Sequence, residues 1–279
     1  MKKAINHWSF PEGMPLQEIF QLASDNRFAA IELVIEEKGE LSLDASPDEM
    51  NRCVRLAREY GIHICGITTG LFWKYSLSAP DQETRIKSKT IVRQMIEIAS
   101  RLNVETVLIV PGAVDVFFDP SFKPVPYDQV YEIAQESMRE VAVDAERRGV
   151  TLCLENVWNK FLLSPLEMRS FIDDIHSPNV AACFDVGNVL AFGYPEHWVP
   201  ILGNRIKRVH VKDYKTSVGT SKGFCQLLAG DVHWKEVVAS LRNIQYDGYL
   251  IAEIAPTYKS FPELSIHDIS VAVDRILTL

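Results

Sequence analysis

The sequence predicts an α/β fold, a single (β/α)8 barrel over residues 1–279, on three observations. Apolar runs of β character alternate with amphipathic stretches eight times along the chain. Alternating βα units imply a parallel sheet, and eight of them in 279 residues suit a closed barrel, a fold of about 250 residues. No GxGxxG or Walker motif follows an early run, which counts against an open doubly wound sheet. A composition of 47% hydrophobic residues allows a sizeable core.

Each unit has its own signals. Run one, 4–8, precedes a helix at 16–26 in which Leu16, Ile19, Phe20 and Ala23 recur at helical spacing. Run two is 29–33. Ser46-Pro47-Asp48-Glu49 then supplies an N-cap, a first-turn proline and early acids for a helix that stops at Gly61. Run three is 63–68, followed by a long helix at 82–102 with Ile91, Met95, Ile98 and Leu102 on one face. Run four, 106–110, is stopped by Pro111-Gly112 and precedes a helix at 127–148. Runs five (151–155) and six (180–185) flank a helix near 165–175. A short helix, 196–202, leads to run seven, 206–211. The polar, glycine-containing stretch 213–228 reads as a loop. A helix at 234–244, run eight at 249–254 and a last helix at 265–279 complete the chain.

In a parallel barrel all strand C-termini share one rim, where the active sites of this fold sit. Runs five to eight carry Glu155, Asp185, His210 and Glu253 at those ends. A lone glutamate there is usually a cap or a surface ion pair, and a lone histidine a hydrogen-bonded core residue. Four on consecutive strands point to convergence. Three carboxylates and an imidazole suit a divalent cation such as manganese, magnesium or zinc, and no cysteine joins the set to make a structural zinc site. Two glutamates beside a metal suit proton transfer on opposite faces of a substrate. A cation chelated by a carbonyl and an adjacent hydroxyl acidifies the C–H between them and stabilises the enediolate. Proton return on the opposite face epimerises; return to the neighbouring carbon isomerises.

Leu154-Glu155-Asn156, Phe184-Asp185-Val186-Gly187-Asn188, Val209-His210-Val211-Lys212-Asp213 and Ala252-Glu253-Ile254 resemble motifs of the xylose isomerase-like TIM-barrel superfamily of sugar and sugar-phosphate isomerases and epimerases. Ala229-Gly230-Asp231-Val232-His233-Trp234 is similar to a Gly-rich loop before that family's seventh helix. The resemblance covers essentially the whole chain. It implies a ketose or ketose-phosphate 3-epimerase in which Glu155, Asp185, His210 and Glu253 bind one divalent ion, manganese first, with magnesium, cobalt or zinc as alternatives. Glu155 and Glu253 are then the acid/base pair. Inosose or hydroxypyruvate isomerases and dehydratases of the same fold are the alternative. Endonuclease IV-like phosphodiesterases are less favoured, because they need three zincs and more than the seven histidines present. Free-ketose epimerases of the group carry a histidine where Asn188 stands and a glutamate where Phe161 stands. Both departures resemble the branch acting on pentulose 5-phosphates. Barrels of this family form dimers or tetramers, so a homodimer or homotetramer is expected.

Four residues are assigned to substrate: Asn188, Lys212, His7 and Trp73. Lys212 follows His210 by two and faces the same side of an extended segment, to hold a hydroxyl or phosphate, or to pair with Asp213 or Glu253. His7 and Trp8 end run one and Trp73 follows run three, where an aromatic ring would wall the sugar. Glu32, near the end of run two, is placed to orient a ligand or a hydroxyl. Lys160, Lys215 and Lys222 lie in rim loops as phosphate contacts or solvated lysines. A net charge of −8 with no basic stretch argues against nucleic acid. The absence of an apolar stretch of spanning length argues against a membrane, and the first run has no signal-peptide h-region. Five cysteines without a CxxC read as buried small hydrophobes in a reducing compartment. A cytoplasmic protein is expected, with a small sugar or sugar phosphate as its partner.

Overall fold

The computed structural model describes residues 1–279. Its strands are β1 (Lys2–Asn6), β2 (Ala30–Val34), β3 (His63–Thr68), β4 (Thr106–Ile109), β5 (Thr151–Glu155), β6 (Val180–Asp185), β7 (Ile206–Val211), the short β8 (Asp213–Tyr214) and β9 (Phe224–Cys225), and β10 (Tyr249–Ala252). Between them lie α1 (Leu16–Asp25), α2 (Pro47–Glu59), α3 (Gln82–Leu102), α4 (Tyr127–Arg148), α5 (Pro165–Asp173), α6 (Val186–Val189), α7 (Pro195–Leu202) and α8 (Trp234–Asn243), with α9 (Leu264–Leu277) last. Eight parallel strands close into a barrel in the order β1-β10-β7-β6-β5-β4-β3-β2. The eight-unit reading of the sequence therefore holds, and runs five to eight are ring neighbours.

Local chemistry sets the boundaries. Ser46 and Glu49 form a capping box at α2, with Ser46 Oγ accepting from Glu49 N and Glu49 Oε2 from Ser46 N. The left-handed Gly149 (φ 65°) ends α4. Three expectations need correction. Run one ends at Asn6 rather than Trp8, because Asn6 Oδ1 accepts from Trp8 N at 2.7 Å and turns the chain into a 3-10 turn, His7–Ser9. Run eight ends at Ala252, which leaves Glu253 one residue beyond, although its N–H still donates to Val211 O at 3.3 Å. The loop at 213–228 contains the β8–β9 hairpin, and a short helix not expected from the sequence, α6, starts directly at Asp185.

The barrel interior is layered. Its lower part is Ala4, Ala30 and Ile251 with Cys65 and Tyr249 packed against them. Above it Arg208 reaches from β7 to Glu32 on β2 and the Ile67 carbonyl on β3. Gly66 makes room for it: a Cβ there would lie 2.6 Å from the guanidinium carbon. The helices pack outside, burying side chains such as Phe20, Ile91, Met95, Val141 and Phe171 in one continuous core. All five cysteines are free. Burial pushes the Cys53 and Cys65 thiols up to about 12 and Cys183 to about 11, so they behave as small apolar groups. No helix is long and apolar enough to cross a membrane.

Candidate metal centre and substrate cavity

Alternation of side chains along a strand decides what reaches the upper rim. On β7, Arg208 and His210 share the inward face and Lys212 continues it. Asp185 pairs in register with His210, and Glu155 with Cys183 next door. One donor atom each from Glu155, Asp185, His210 and Glu253 lies within 4.8 Å of the others. Asp185 and His210 are fully buried, Glu155 is nearly so, and Glu253 is partly buried. Asp185 Oδ2 and Glu253 Oε2 are buried without a hydrogen bond. They do have charged neighbours, Lys212 Nζ 3.0 Å from the first and His210 Nδ1 2.7 Å from the second, but neither contact has hydrogen-bonding geometry. Orphaned carboxylate oxygens beside an imidazole are the donor set a divalent cation needs, so the residues present fit one.

The histidine is oriented for that task. His210 Nδ1 faces Glu155 Oε1 at 3.2 Å and Glu253 Oε2 at 2.7 Å. His210 Nε2 lies 3.0 Å from one oxygen of Glu32 and 3.2 Å from the other. A carboxylate that accepts the Nε2 proton leaves the Nδ1 lone pair for a metal. Glu32 is itself fully buried and held by Arg208 and the Asn6 amide. Sequence reasoning placed Glu32 as an orienting group but missed Arg208 and Asn6. An arginine inside an apolar strand run was the available signal, since such a charge stays buried only when paired.

Lys212 Nζ lies 2.9 Å from Glu253 Oε1 and 3.9 Å from Glu155 Oε1, in addition to its contact with Asp185. Of the two pairings weighed from the sequence, Glu253 is the one formed. Asp213 instead anchors the next loop: its carboxylate accepts from Tyr214 N, Leu228 N, Val232 N and Trp234 Nε1. The two motif glycines serve close approach. A Cβ at Gly187 would lie 2.6 Å from Lys212 Cβ, and one at Gly230 would lie 2.2 Å from Asp213 Oδ1.

Burial pushes the Asp185 carboxyl up to about 6, against the pull of Lys212 and with the help of Glu155 and Glu253. Burial also raises Glu253, but Lys212 and His210 outweigh it and bring that carboxyl down to about 2. Burial opposes a charge on His210, yet Cys183 and the facing Glu155 and Glu253 carboxylates lift its pKa well above the usual range. A metal must displace the His210 proton at neutral pH, and the Asp185 proton as well once the pH falls through about 6. Manganese affinity measured by calorimetry should therefore fall with pH by about tenfold per unit for each displaced proton, more steeply below pH 6 than above it. A pH-independent affinity between 5 and 8 would contradict this assignment.

Glu155 and Glu253 of this cluster, with Lys212, line a cavity of about 450 Å³ whose lining is mostly apolar; Asp185 and His210 lie behind them, outside the lining. Trp8, Trp73 and Trp158 contribute to the cavity walls. Asn188 is also in the wall, with its Nδ2 donating to Asn156 O at 2.9 Å and its N–H capped by Asp185 Oδ1. His7 is not brought to this cavity. It lines a separate one, accepts from Val34 N at Nδ1, and is pushed by burial down to about 4, hence neutral. Phe161 is packed away from the cavity against Tyr127, Tyr131 and Phe171. Lys160 is exposed and paired with Asp115 at 2.6 Å; Lys215 and Lys222 are exposed and outside the lining.

The model of the xylose isomerase-like TIM barrel family matches residues 20–270. The chain belongs to that family. The matched span contains all four converging ligand positions and Glu32. Within 234 aligned residues the chain is 24% identical to the uncharacterized protein MJ1311 of Methanocaldococcus jannaschii, covering 82% of this chain and 76% of that one. Among solved structures, D-psicose 3-epimerase in the presence of D-fructose is similar, with a TM-score of 0.80, 18% identity, and 100% and 97% of the two chains covered. The IOLI protein with a bound zinc atom is also similar, with a TM-score of 0.81, 16% identity, and 100% and 98% covered. At these identities the family likeness to solved structures is one of fold.

Proposed function

We propose that the protein is a divalent-metal-dependent carbohydrate epimerase or isomerase, and that 3-epimerisation of a ketose is the reaction its site fits best. One observation carries this reading: Glu155 at the end of β5 and Glu253 just past the end of β10 approach the same ring nitrogen of His210, at 3.2 and 2.7 Å, beside the buried Asp185. Two carboxylates around one point can serve the two faces of a bound substrate. Glu155, Asp185, His210 and Glu253 would hold a divalent ion, which would supply Lewis-acid polarisation of the substrate when bound. Three oxygen donors and one nitrogen suit manganese, and the zinc in the IOLI structure supports a divalent ion in a barrel of this kind.

The chain's own groups do the rest. One glutamate takes the proton from the carbon next to the carbonyl, and the other returns a proton to that carbon from the opposite side. One proton leaves and one arrives, so no redox partner is needed. Asp185 and His210 hold their positions through the α6 cap and through Glu32. Lys212 is the one cationic side chain in the cavity wall and donates to a substrate oxygen. The same wall carries Glu155, Asp213 and Glu253, which disfavours a nucleic-acid phosphodiester. The test is to incubate the manganese-loaded protein with ketoses in deuterated water. Deuterium should enter at C3 of at least one of them; no exchange in any would sink the proposal.

A further inference from the structure

Strand register places one more donor beside the four already described. Cys183 lies two residues before Asp185 on β6, so it shares the inward face one layer deeper in the barrel. It pairs in register with Glu155 on one side and with Arg208, two residues before His210, on the other. Its Sγ, a carboxylate oxygen of Glu155 and a ring nitrogen of His210 all lie within 4.8 Å of one another, as the atoms of the four-residue set do. The two sets share Glu155 and His210 and differ in what completes them. Asp185 and Glu253 complete one with oxygen; Cys183 completes the other with sulfur. None of the other four cysteines joins a set of this kind. No cysteine was expected among the ligands, because only strand pairing brings Cys183 between Glu155 and His210.

We propose that Glu155, Cys183 and His210 form a second metal site, overlapping the first and selective for thiophilic divalent ions such as zinc and cadmium. Soft thiolate ligands select such ions, whereas carboxylates suit manganese and magnesium. The Cys183 proton leaves to solvent as the metal–sulfur bond forms. All three residues are buried, and of them only Glu155 lines the cavity. An ion on this set therefore lies behind the wall, away from a substrate, while it occupies two of the donors that manganese needs. Ions at the two sets exclude each other, so a thiophilic ion blocks the centre instead of serving it. This inference rests on the metal-centre reading that underlies the proposed function.

The test titrates the metal-free protein with cadmium chloride and, separately, with manganese chloride, reading near-ultraviolet absorbance and calorimetric heat. Cadmium should raise a sulfur-to-metal charge-transfer band that saturates at one ion per chain, and manganese should raise none. Cadmium bound first should abolish the heat of manganese binding. Cys183→Ala should remove the band and weaken cadmium binding about 100-fold, the upper end of the loss seen for even an outer-shell partner, with manganese affinity unchanged. Cys183→Ser, which keeps the side-chain size, serves if the alanine variant does not fold. Cys153→Ala removes the buried thiol of the next strand and should leave the band in place. Cadmium binding without a band, or a band that survives loss of Cys183, overturns the inference and leaves the four-donor centre standing. So does manganese that binds undisturbed beside cadmium. A protein that binds neither ion overturns both.

Discussion

Glu155→Gln and Glu253→Gln are each expected to lower epimer formation by about 10⁴-fold, the upper end of what a positioned acid or base contributes. The substitution is nearly isosteric and leaves an oxygen donor at the metal centre, but an amide cannot accept or deliver the proton. Asp185 and His210 remain, so the ion should still bind. Loss of turnover with retained manganese separates a chemical role from a purely structural one. Glu253 is held down at about 2 by Lys212 and His210, and is a carboxylate throughout the working pH range. A variant of either glutamate that turns over within tenfold of wild type would remove that residue from the mechanism.

Glu32→Gln should have the second-largest effect, and it acts through two neighbours. The amide can still accept from His210 Nε2, but its negative charge is gone. Arg208 then lies in the barrel interior, 2% exposed, without a counter-charge. Breaking a buried pair in this way costs about 3–5 kcal/mol, which denaturant unfolding of the metal-free protein would read directly. Weakened polarisation of His210 should lower manganese affinity by about 10–100-fold in a titration. The double variant Glu32→Gln/Arg208→Met should recover stability without recovering affinity. If Glu32→Gln alone keeps both wild-type stability and wild-type affinity, the carboxylate does not orient the ligand histidine.

The fold was readable because β5 and β6 are short apolar runs with a polar stop, and because α3 and α4 are long enough for their periodicity to dominate. The convergence of Glu155, Asp185, His210 and Glu253 was readable for a related reason: a buried strand that ends in a carboxylate or an imidazole breaks its own pattern. Two kinds of information were not available locally. Side-chain caps displaced strand ends by one or two residues, as when Asn6 turned the chain and carried His7 out of the cavity while bringing Trp8 into it. Contacts across the barrel depend on which strands face each other. Arg208 meeting Glu32 and Gly66 follows from ring closure, and no spacing in the sequence encodes it. The same applies to the aromatic cavity wall, where Trp73, Trp158 and Phe224 come together from different units of the barrel.

The most direct measurement is proton exchange followed as manganese is added back to metal-stripped protein with a ketose substrate in deuterated water. The account predicts no exchange in the stripped protein, a rise that breaks at one ion per chain, and deuterium at the carbon beside the carbonyl. Full exchange without metal, or metal-loaded protein that never exchanges, would contradict it.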